Sequence, residues 1–160
     1  MAEFHRRNLT ERQSAWLVGF IDGEGYLGIT FQRKKETRAQ AASSLYHPYL
    51  IIANTNQPVL SYIRNIVGDG NVYSGKKVTE KTKESFQYKL TRMEVLHDLL
   101  ESIESYLQIK APQCRILIEF IKRRRVAQPT TGRGSRGRTS FTAEDENSFR
   151  TLLKLNKRGP

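Results

Sequence analysis

The spacing of apolar residues changes abruptly once in the N-terminal part of the chain. Over residues 10–22 apolar side chains occur nearly all round a helix, and Thr10 is a candidate N-cap, so the pattern predicts a helix that is buried on most sides. Over residues 26–32 the apolar positions alternate, with Leu27 and Ile29 on one face, which predicts a half-buried strand. A buried helix is therefore expected to lead directly into a strand.

Further along, apolar segments alternate with polar turns. A polar, basic stretch over residues 33–44 is predicted to be a long hairpin connection, and residues 49–54 are predicted to form the returning strand. A short helix is predicted over residues 58–67, because Pro58 suits a first-turn position and a Gly-Asp-Gly sequence follows. The later predicted elements are strands over residues 71–77 and 85–90 and helices over residues 93–107, 111–125 and 143–155.

This order of elements indicates an α+β fold: an α-β-β-α-β-β-α core with an antiparallel sheet, followed by C-terminal helices. The second helix shares no sequence with the first, so the chain is not a tandem repeat. We expect a core over residues 1–125, a basic Gly/Arg-rich loop over residues 126–140, and a C-terminal helix over residues 141–160 that packs on the same domain.

The charge of the chain points to a polyanionic partner. Its 160 residues suit one domain, and 27 Lys plus Arg against 16 Asp plus Glu give a formal net charge of +11. Nucleic acid is the first candidate partner. A membrane is not expected as a partner, because no apolar run has the length of a spanning helix and no basic helix has a continuous apolar face.

Cysteine and histidine usage narrows the setting and the metal chemistry. Cys114 is the single cysteine, and the N-terminal residues lack the apolar core of a secretory signal, so we expect a reducing, intracellular setting. The three histidines, His5, His47 and His97, have no cysteine partners at ligand spacing. Any metal is therefore expected to be bound through oxygen.

The segment LVGFIDGEG, residues 17–25, has two features that composition does not explain. Gly19 and Gly23 are four residues apart, so they leave one helical face without side chains and allow a second backbone, that of another subunit, to approach. Asp22 and Glu24 lie at the end of the same helix, where the macrodipole disfavours negative charge. A divalent cation with oxygen ligands would compensate, and Mg²⁺ typically takes only one or two protein carboxylates.

This segment resembles the LAGLIDADG signature of the single-motif homing endonucleases at its leucine, glycine, aspartate, final acidic and final glycine positions. The resemblance covers about the first 125 residues. It implies a saddle-shaped antiparallel sheet and a homodimer whose interface includes Leu17, Gly19, Phe20 and Gly23. Each protomer is then expected to serve one strand of the duplex.

The resemblance also implies roles for five residues. Glu24 is expected to bind the catalytic metal together with the carbonyl oxygen of Gly23, while Asp22 caps and orients the end of the helix. Lys110 is expected near the scissile phosphate, where it stabilises charge or orders the attacking water. Asn54 is expected to hold water in the same pocket. The expected catalytic set is therefore Glu24, Lys110 and Asn54.

The implied activity is a site-specific double-strand break in a long, partly palindromic DNA target, made by a Mg²⁺-dependent homodimer. Mn²⁺ or Ca²⁺ is expected to substitute for Mg²⁺ in binding. The expected biological use is mobility of the protein's own intron or coding insert. The site of action is DNA inside the cell, in a prokaryotic cytoplasm or an organelle, and no small-molecule substrate is expected.

DNA would be read by the strands, because a two-stranded ribbon fits the major groove. Polar residues that alternate with apolar ones are the candidate base readers: Thr30, Gln32, Lys34, Gln87 and Lys89. Basic residues near the hairpin tips and farther along are the candidate phosphate contacts: Arg33, Lys35, Arg38, Lys76, Lys77, Lys81, Lys83, Arg123, Arg124, Arg125, Arg133, Arg136 and Arg138.

Other interpretations remain open at this point. The same scaffold also serves as an RNA-splicing maturase or as a DNA-binding regulator, and a basic structural protein would show no sequence preference. The strand lysines are alternatively edge protection, Lys110 a surface charge, and Asn54 a turn or capping residue. The presence of both Glu24 and Lys110 favours cutting.

Overall fold

A computed structural model describes residues 8–34, 43–75, 83–127 and 141–157. In chain order its elements are α1 (Glu11–Glu24), β1 (Gly25–Lys34), β2 (Ser43–Asn54), α2 (Gln57–Val67), β3 (Asn71–Ser74), β4 (Phe86–Leu90), α3 (Met93–Ile103), a 3-10 turn (Glu104–Tyr106), α4 (Ala111–Ala127) and α5 (Ala143–Leu155). The predicted α+β class and element order are confirmed. Helices α4 and α5 complete the order after α3.

Helix α1 begins as predicted and ends two residues later than predicted. Thr10 caps it in a capping box with Gln13, since each side chain accepts a hydrogen bond from the other residue's backbone N–H. The helix runs to Glu24, and strand β1 starts at the next residue, Gly25. A Cβ atom at Gly25 would lie 2.6 Å from the carbonyl oxygen of Ile21, so only glycine allows this direct change from helix to strand.

The sheet has the strand order β1-β2-β4-β3, and every neighbouring pair is antiparallel. Strand β2 starts at Ser43, six residues before the predicted start at residue 49. Pro48 lies inside it, paired with Ile29 of β1. Strand β4 pairs only with the second half of β2, from Leu50 onward, so Pro48 occupies a stretch with one neighbouring strand, where a missing N–H is tolerated.

One face of the sheet is buried and the other is open. Five residues on three adjacent strands are fully buried beneath the helices: Leu27, Leu50, Ile52, Tyr88 and Leu90. Leu50 pairs with both Leu27 and Leu90, and Ile52 pairs with Tyr88. Their neighbours in sequence point to the opposite face, as the two-residue period of a strand requires. Fully buried residues of α1, α3 and α4 form the other half of the core, among them Leu17, Leu96 and Phe120.

Two predicted helices differ in extent. Helix α3 ends at Ile103, and the 3-10 turn and an irregular stretch lead to α4, whereas one helix was predicted over residues 93–107. Leu107 is buried, which explains why the apolar spacing continues past the helix end. Helix α4 continues to Ala127, beyond the predicted start of the basic loop. Most of that loop, residues 128–140, lies outside the described residues.

Helix α5 packs along β1, which is an edge strand. Leu152 is buried, and the ring of Phe149 lies 5.8 Å from that of Phe31 and 5.7 Å from that of Tyr46. The Asn156 side-chain amide donates to the carbonyl oxygen of Leu27 at 2.8 Å. The helix therefore covers the free edge of the sheet.

Two arginines near the end of α4, Arg123 and Arg124, contact α5. Arg124 is buried, its guanidinium lies 3.4 Å from the carboxylate of buried Asp145, and it stacks 4.0 Å from the Phe141 ring centroid. Arg123 lies 3.5 Å from the same carboxylate. Arg124 is buried in this ion pair, so the expectation that it binds a DNA phosphate is wrong, whereas for Arg123, whose side chain is 32% exposed, that expectation stays a prediction.

Candidate active site

The acidic residue Glu24 ends α1 and is exposed to solvent. Its Oε2 accepts a 2.7 Å hydrogen bond from the side-chain amide of Asn54, which ends β2. The Asn54 oxygen in turn accepts a 2.8 Å hydrogen bond from the backbone N–H of Asn56, the N-cap of α2. This bond directs the amide NH₂ toward Glu24. Asn54 is therefore both a turn residue and a neighbour of the acidic side chain.

Asp22 caps a helix other than its own. Its carboxylate accepts hydrogen bonds from the backbone N–H groups of Gln108 at 2.9 Å, Ile109 at 3.2 Å and Lys110 at 2.9 Å, the residues just before α4. We expected Asp22 to cap the end of α1, but a carboxylate has no hydrogen to donate to the carbonyl groups at a helix C-terminus. It instead satisfies unpaired donors at a helix N-terminus, where its charge is favourable.

Lys110 lies at the same place, the C-terminal end of α1, which is called the corner below. Its backbone is held by Asp22, and its Nζ donates to the carbonyl oxygen of Asp22 at 2.8 Å. That carbonyl is one of the last four of α1, which accept no hydrogen bond from a later residue of the same helix. The ammonium group also complements the negative end of the helix macrodipole. Lys110 is half-buried. The structure thus joins Asn54 to Glu24 and Lys110 to Asp22, two residues of the last turn of α1.

The donor set can be compared with what divalent cations require. Asp22 is occupied by three backbone N–H groups, so the exposed carboxylate of Glu24 is the hard oxygen donor available at this corner. In the parts of the chain that the structure describes, no cluster of three or more His, Cys, Asp or Glu could hold a metal. The residues therefore fit a hydrated Mg²⁺ that takes most of its ligands from water and phosphate, and they do not fit a closed protein cage.

The glycine face of α1 is open. Gly19 and Gly23 are both exposed, and a Cβ atom built at either would meet nothing within 4 Å. Phe20 is half-buried beside them, and its ring lies 4.7 Å from that of Trp16, which is 37% exposed. Leu17 is different: it is fully buried in its own protomer. The expectation that Leu17 lies at a dimer interface is therefore wrong, because it supports the helix from the core side.

The open face of the sheet carries the predicted base readers that the structure describes with their side chains. Gln32 and Gln87 are exposed, and Thr30 and Lys89 are half-buried on the same face, while Phe86, Tyr88 and Leu90 turn toward the core. Lys34 lies within β1 by its backbone. Arg33 is exposed at the end of β1. Lys83, just before β4, and Arg125, in α4, are also exposed. The remaining predicted DNA contacts lie outside the described residues: Lys35, Arg38, Lys76, Lys77, Lys81, Arg133, Arg136 and Arg138.

Sequence reasoning missed an aromatic pair on this face. Tyr26 and Tyr49 stack with their ring centroids 5.9 Å apart and their planes at 10°. Burial raises the pKa of the Tyr49 hydroxyl to about 12, with the Tyr26 hydroxyl as a second cause. The register of β1 with β2 could not be read from the sequence. Once that register is known, with Gly28 opposite Tyr49 and Tyr26 opposite Ile51, alternation places all of them on the open face.

Solved structures with the same fold are homing endonucleases. An archaeal intron-encoded homing endonuclease, I-Vdi141I, complexed with DNA, matches with a TM-score of 0.64 and 14% identity over 94% of this chain and 87% of that chain. The homing endonuclease I-CvuI, in complex with a DNA target in the presence of Mg, matches with a TM-score of 0.58 and 18% identity over 92% of this chain and 96% of that chain. The structure of I-CvuI with its own target in the presence of Ca matches with a TM-score of 0.57 and 20% identity over 96% of this chain and 98% of that chain. No curated protein matches the chain.

The sequence family agrees with the fold. The model of the family described as LAGLIDADG endonuclease matches residues 17–114, which is more than half of the chain. The chain therefore belongs to the LAGLIDADG endonuclease family. Among the helices in the described ranges, none combines the length and the apolar composition that crossing a membrane requires.

Proposed function

We propose that this chain is a homing endonuclease that acts as a homodimer, uses Mg²⁺, and makes a site-specific double-strand break in DNA inside the cell. The observation that carries the proposal is the position of Glu24. Its exposed carboxylate is held by Asn54 at the end of the same helix whose glycine face is open. Family membership supplies the class of reaction.

The dimer follows from the open face of α1. A helix surface without side chains at Gly19 and Gly23 lets a second α1 approach closely across a two-fold axis. Phe20 borders this surface. Because Glu24 follows Gly23 directly, pairing of the two helices brings the two carboxylates to the symmetry axis, one for each strand. A two-fold symmetric reader also predicts a partly palindromic target.

At each half of the site, Glu24 and the carbonyl oxygen of Gly23 would hold Mg²⁺. The bound ion supplies Lewis-acid polarisation of the phosphate and lowers the pKa of water. Asn54 orients the Glu24 carboxylate through its Oε2, which would leave Oε1 to hold the ion. Lys110, anchored at the end of α1, places a positive charge where the phosphate gains negative charge in the transition state.

DNA recognition rests on the open sheet face and on the charge of the chain. A net charge of +11 favours a polyanion, and the open face presents amide, hydroxyl and ammonium groups suited to base edges. If each protomer neutralises six phosphates, the logarithm of the binding constant should fall with the logarithm of salt concentration with a slope of about −5 per protomer.

The test compares two acid-to-amide variants of one helix. Wild type, Glu24→Gln and Glu11→Gln are incubated with candidate intron-insertion-site DNA and Mg²⁺. Glu11 lies in the first turn of α1, at the opposite end from the proposed site. We expect all three proteins to bind, and only Glu24→Gln to fail to cut. Binding without cleavage by wild type would instead support a maturase or regulator on this scaffold and would remove the nuclease proposal.

A further inference from the structure

The open sheet face is not uniformly polar. Its outer part carries Thr30 and Gln32, whereas the part next to Glu24 is apolar and aromatic. Tyr26 lies directly opposite Ile51 in the β1–β2 register, and Tyr49 lies one step farther out on β2. The Tyr26 side chain is 37% exposed, and those of Tyr49 and Ile51 are half-buried. The part of the open sheet face next to Glu24 therefore presents aromatic and aliphatic surface in addition to hydrogen-bonding groups.

The tyrosine pair is built into the strand. A Cβ atom at Gly28 would lie 2.8 Å from the Tyr26 ring and 2.8 Å from the Tyr49 hydroxyl, so the absence of a side chain there lets both rings lie over the β1 backbone. The Lys89 ammonium lies 5.8 Å from the centroid of the Tyr49 ring, within reach of a cation–π contact. The rings are therefore supported from below and from the side before any ligand arrives.

The occupant of this surface is constrained by charge. Lys89 stands in the same row as Tyr26 and Ile51, since Ile51 pairs with both. An ammonium at the rim of an aromatic patch, on a chain with a net charge of +11, suits the edge of a polyanion better than an apolar protein surface. In the major groove the one apolar group on a base edge is the C5-methyl of thymine.

From this placement, and given the proposed function, the geometry points to Tyr26, Tyr49 and Ile51 as a thymine-methyl reading site, so that the base pairs of each half-site nearest the cut include A·T. Tyr26 is two residues from Glu24 along the chain. Strand β1 rises about 3.3 Å per residue and the duplex about 3.4 Å per base pair, so Thr30 and Gln32 read about four and six base pairs farther out.

The test uses binding, so that it stands apart from cleavage. Duplexes bound by the protein in Ca²⁺ are selected from a randomised library, and the recovered site is resynthesised with deoxyuridine in place of thymidine, one position at a time. Deoxyuridine lacks only the methyl group. We expect about fourfold weaker binding at an innermost thymine, the value for one buried methyl, and no change at the outer positions.

Three variants assign the effect to the proposed residues. Tyr49→Ser removes one ring, and Gly28→Ala keeps both rings but displaces them from the strand, so both should bind the thymidine and deoxyuridine duplexes equally. Gln32→Ala, on the same strand and face, should change the outer preference and keep the fourfold ratio. Circular dichroism checks that each variant is folded.

The inference is overturned if the innermost positions show no thymine preference, or if Tyr49→Ser and Gly28→Ala both keep the deoxyuridine effect. Failure of the proposed function looks different: the selected duplexes would be bound, with or without methyl dependence, and would remain uncut in Mg²⁺.

Discussion

Removal of the Asp22 carboxylate tests how the candidate site is held together. Asp22 accepts hydrogen bonds from the backbone N–H groups of Gln108, Ile109 and Lys110 at 2.9, 3.2 and 2.9 Å. These donors belong to the three residues that lead into α4, the last of which, Lys110, directly precedes its first residue, so Asp22 fixes the start of α4 in the manner of an N-terminal cap supplied by another helix. The bonds join α1 to α4 across 86 to 88 residues of chain.

The expected magnitude follows from the capping geometry. An N-cap side chain typically contributes about 1 kcal/mol and up to about 2 kcal/mol, and three donors place Asp22 at the upper end. Its charge is favourable at the start of α4 and unfavourable at the end of α1, each by about 0.3–1 kcal/mol, so these two contributions nearly cancel. Asp22→Ala should therefore lower the free energy of unfolding by about 2 kcal/mol and Tm by roughly 4–8 °C.

Urea and thermal unfolding followed by circular dichroism measure this change. The matched control is Glu119→Gln on α4, because the Glu119 side chain is 66% exposed and lies 4.0 Å from Lys122. It should change the free energy of unfolding by less than about 0.5 kcal/mol. A second readout is cleavage at a temperature where Asp22→Ala is folded. Because the Asp22 carboxylate holds the backbone N–H of Lys110, its removal should displace Lys110, and cleavage should fall more than DNA binding does.

Either of two results would show that Asp22 does not have this role. If Asp22→Ala unfolds at the same urea concentration as wild type, the three hydrogen bonds do not contribute to the fold. If it is destabilised but cuts normally, the corner does not position Lys110.

Three further predictions concern the dimer, the C-terminal helix and the buried thiol. Gly19→Leu should stay folded, because a Cβ atom at Gly19 has open space, and it should sediment as a monomer. Gly25→Leu should unfold, because its Cβ atom would lie 2.6 Å from backbone. A folded, dimeric Gly19→Leu would contradict the proposed interface. Asp145→Ala removes the carboxylate 3.4 Å from buried Arg124 and should cost about 3 kcal/mol in urea unfolding, and an unchanged midpoint would count against the buried pair. Burial raises the pKa of Cys114 to about 12, so the thiol stays protonated at pH 8 and should react with iodoacetamide only after unfolding; rapid native-state alkylation would disprove this.

Local sequence patterns predicted the element order and several boundaries. Helix α5 has the predicted bounds, and Thr10 is the predicted cap of α1. Strand β2 was predicted too short, because Pro48 and the polar residues before it interrupt the alternation that marks a strand. Its early half is stabilised by pairing with β1, a long-range contact that local spacing does not reveal.

The site itself was predictable only in part. The motif and the resemblance identified Glu24, Lys110 and Asn54 as a set. The contacts that these residues make could not be predicted, because the Glu24–Asn54 bond spans 30 residues and the Lys110–Asp22 bond, which holds Lys110 at the end of α1, spans 88. The same holds for Leu17: a helix that is apolar nearly all round does not reveal which apolar residues face the protomer core and which face solvent.

The central claim is that two Glu24 carboxylates, one from each protomer, each serve one DNA strand. A mixed dimer of one wild-type and one Glu24→Gln protomer, isolated through two different affinity tags, tests it on a supercoiled plasmid that carries the target. We expect the mixed dimer to nick the plasmid and stop at the open circle, while the wild-type dimer produces linear DNA. Linear product from the mixed dimer at the wild-type rate would contradict it.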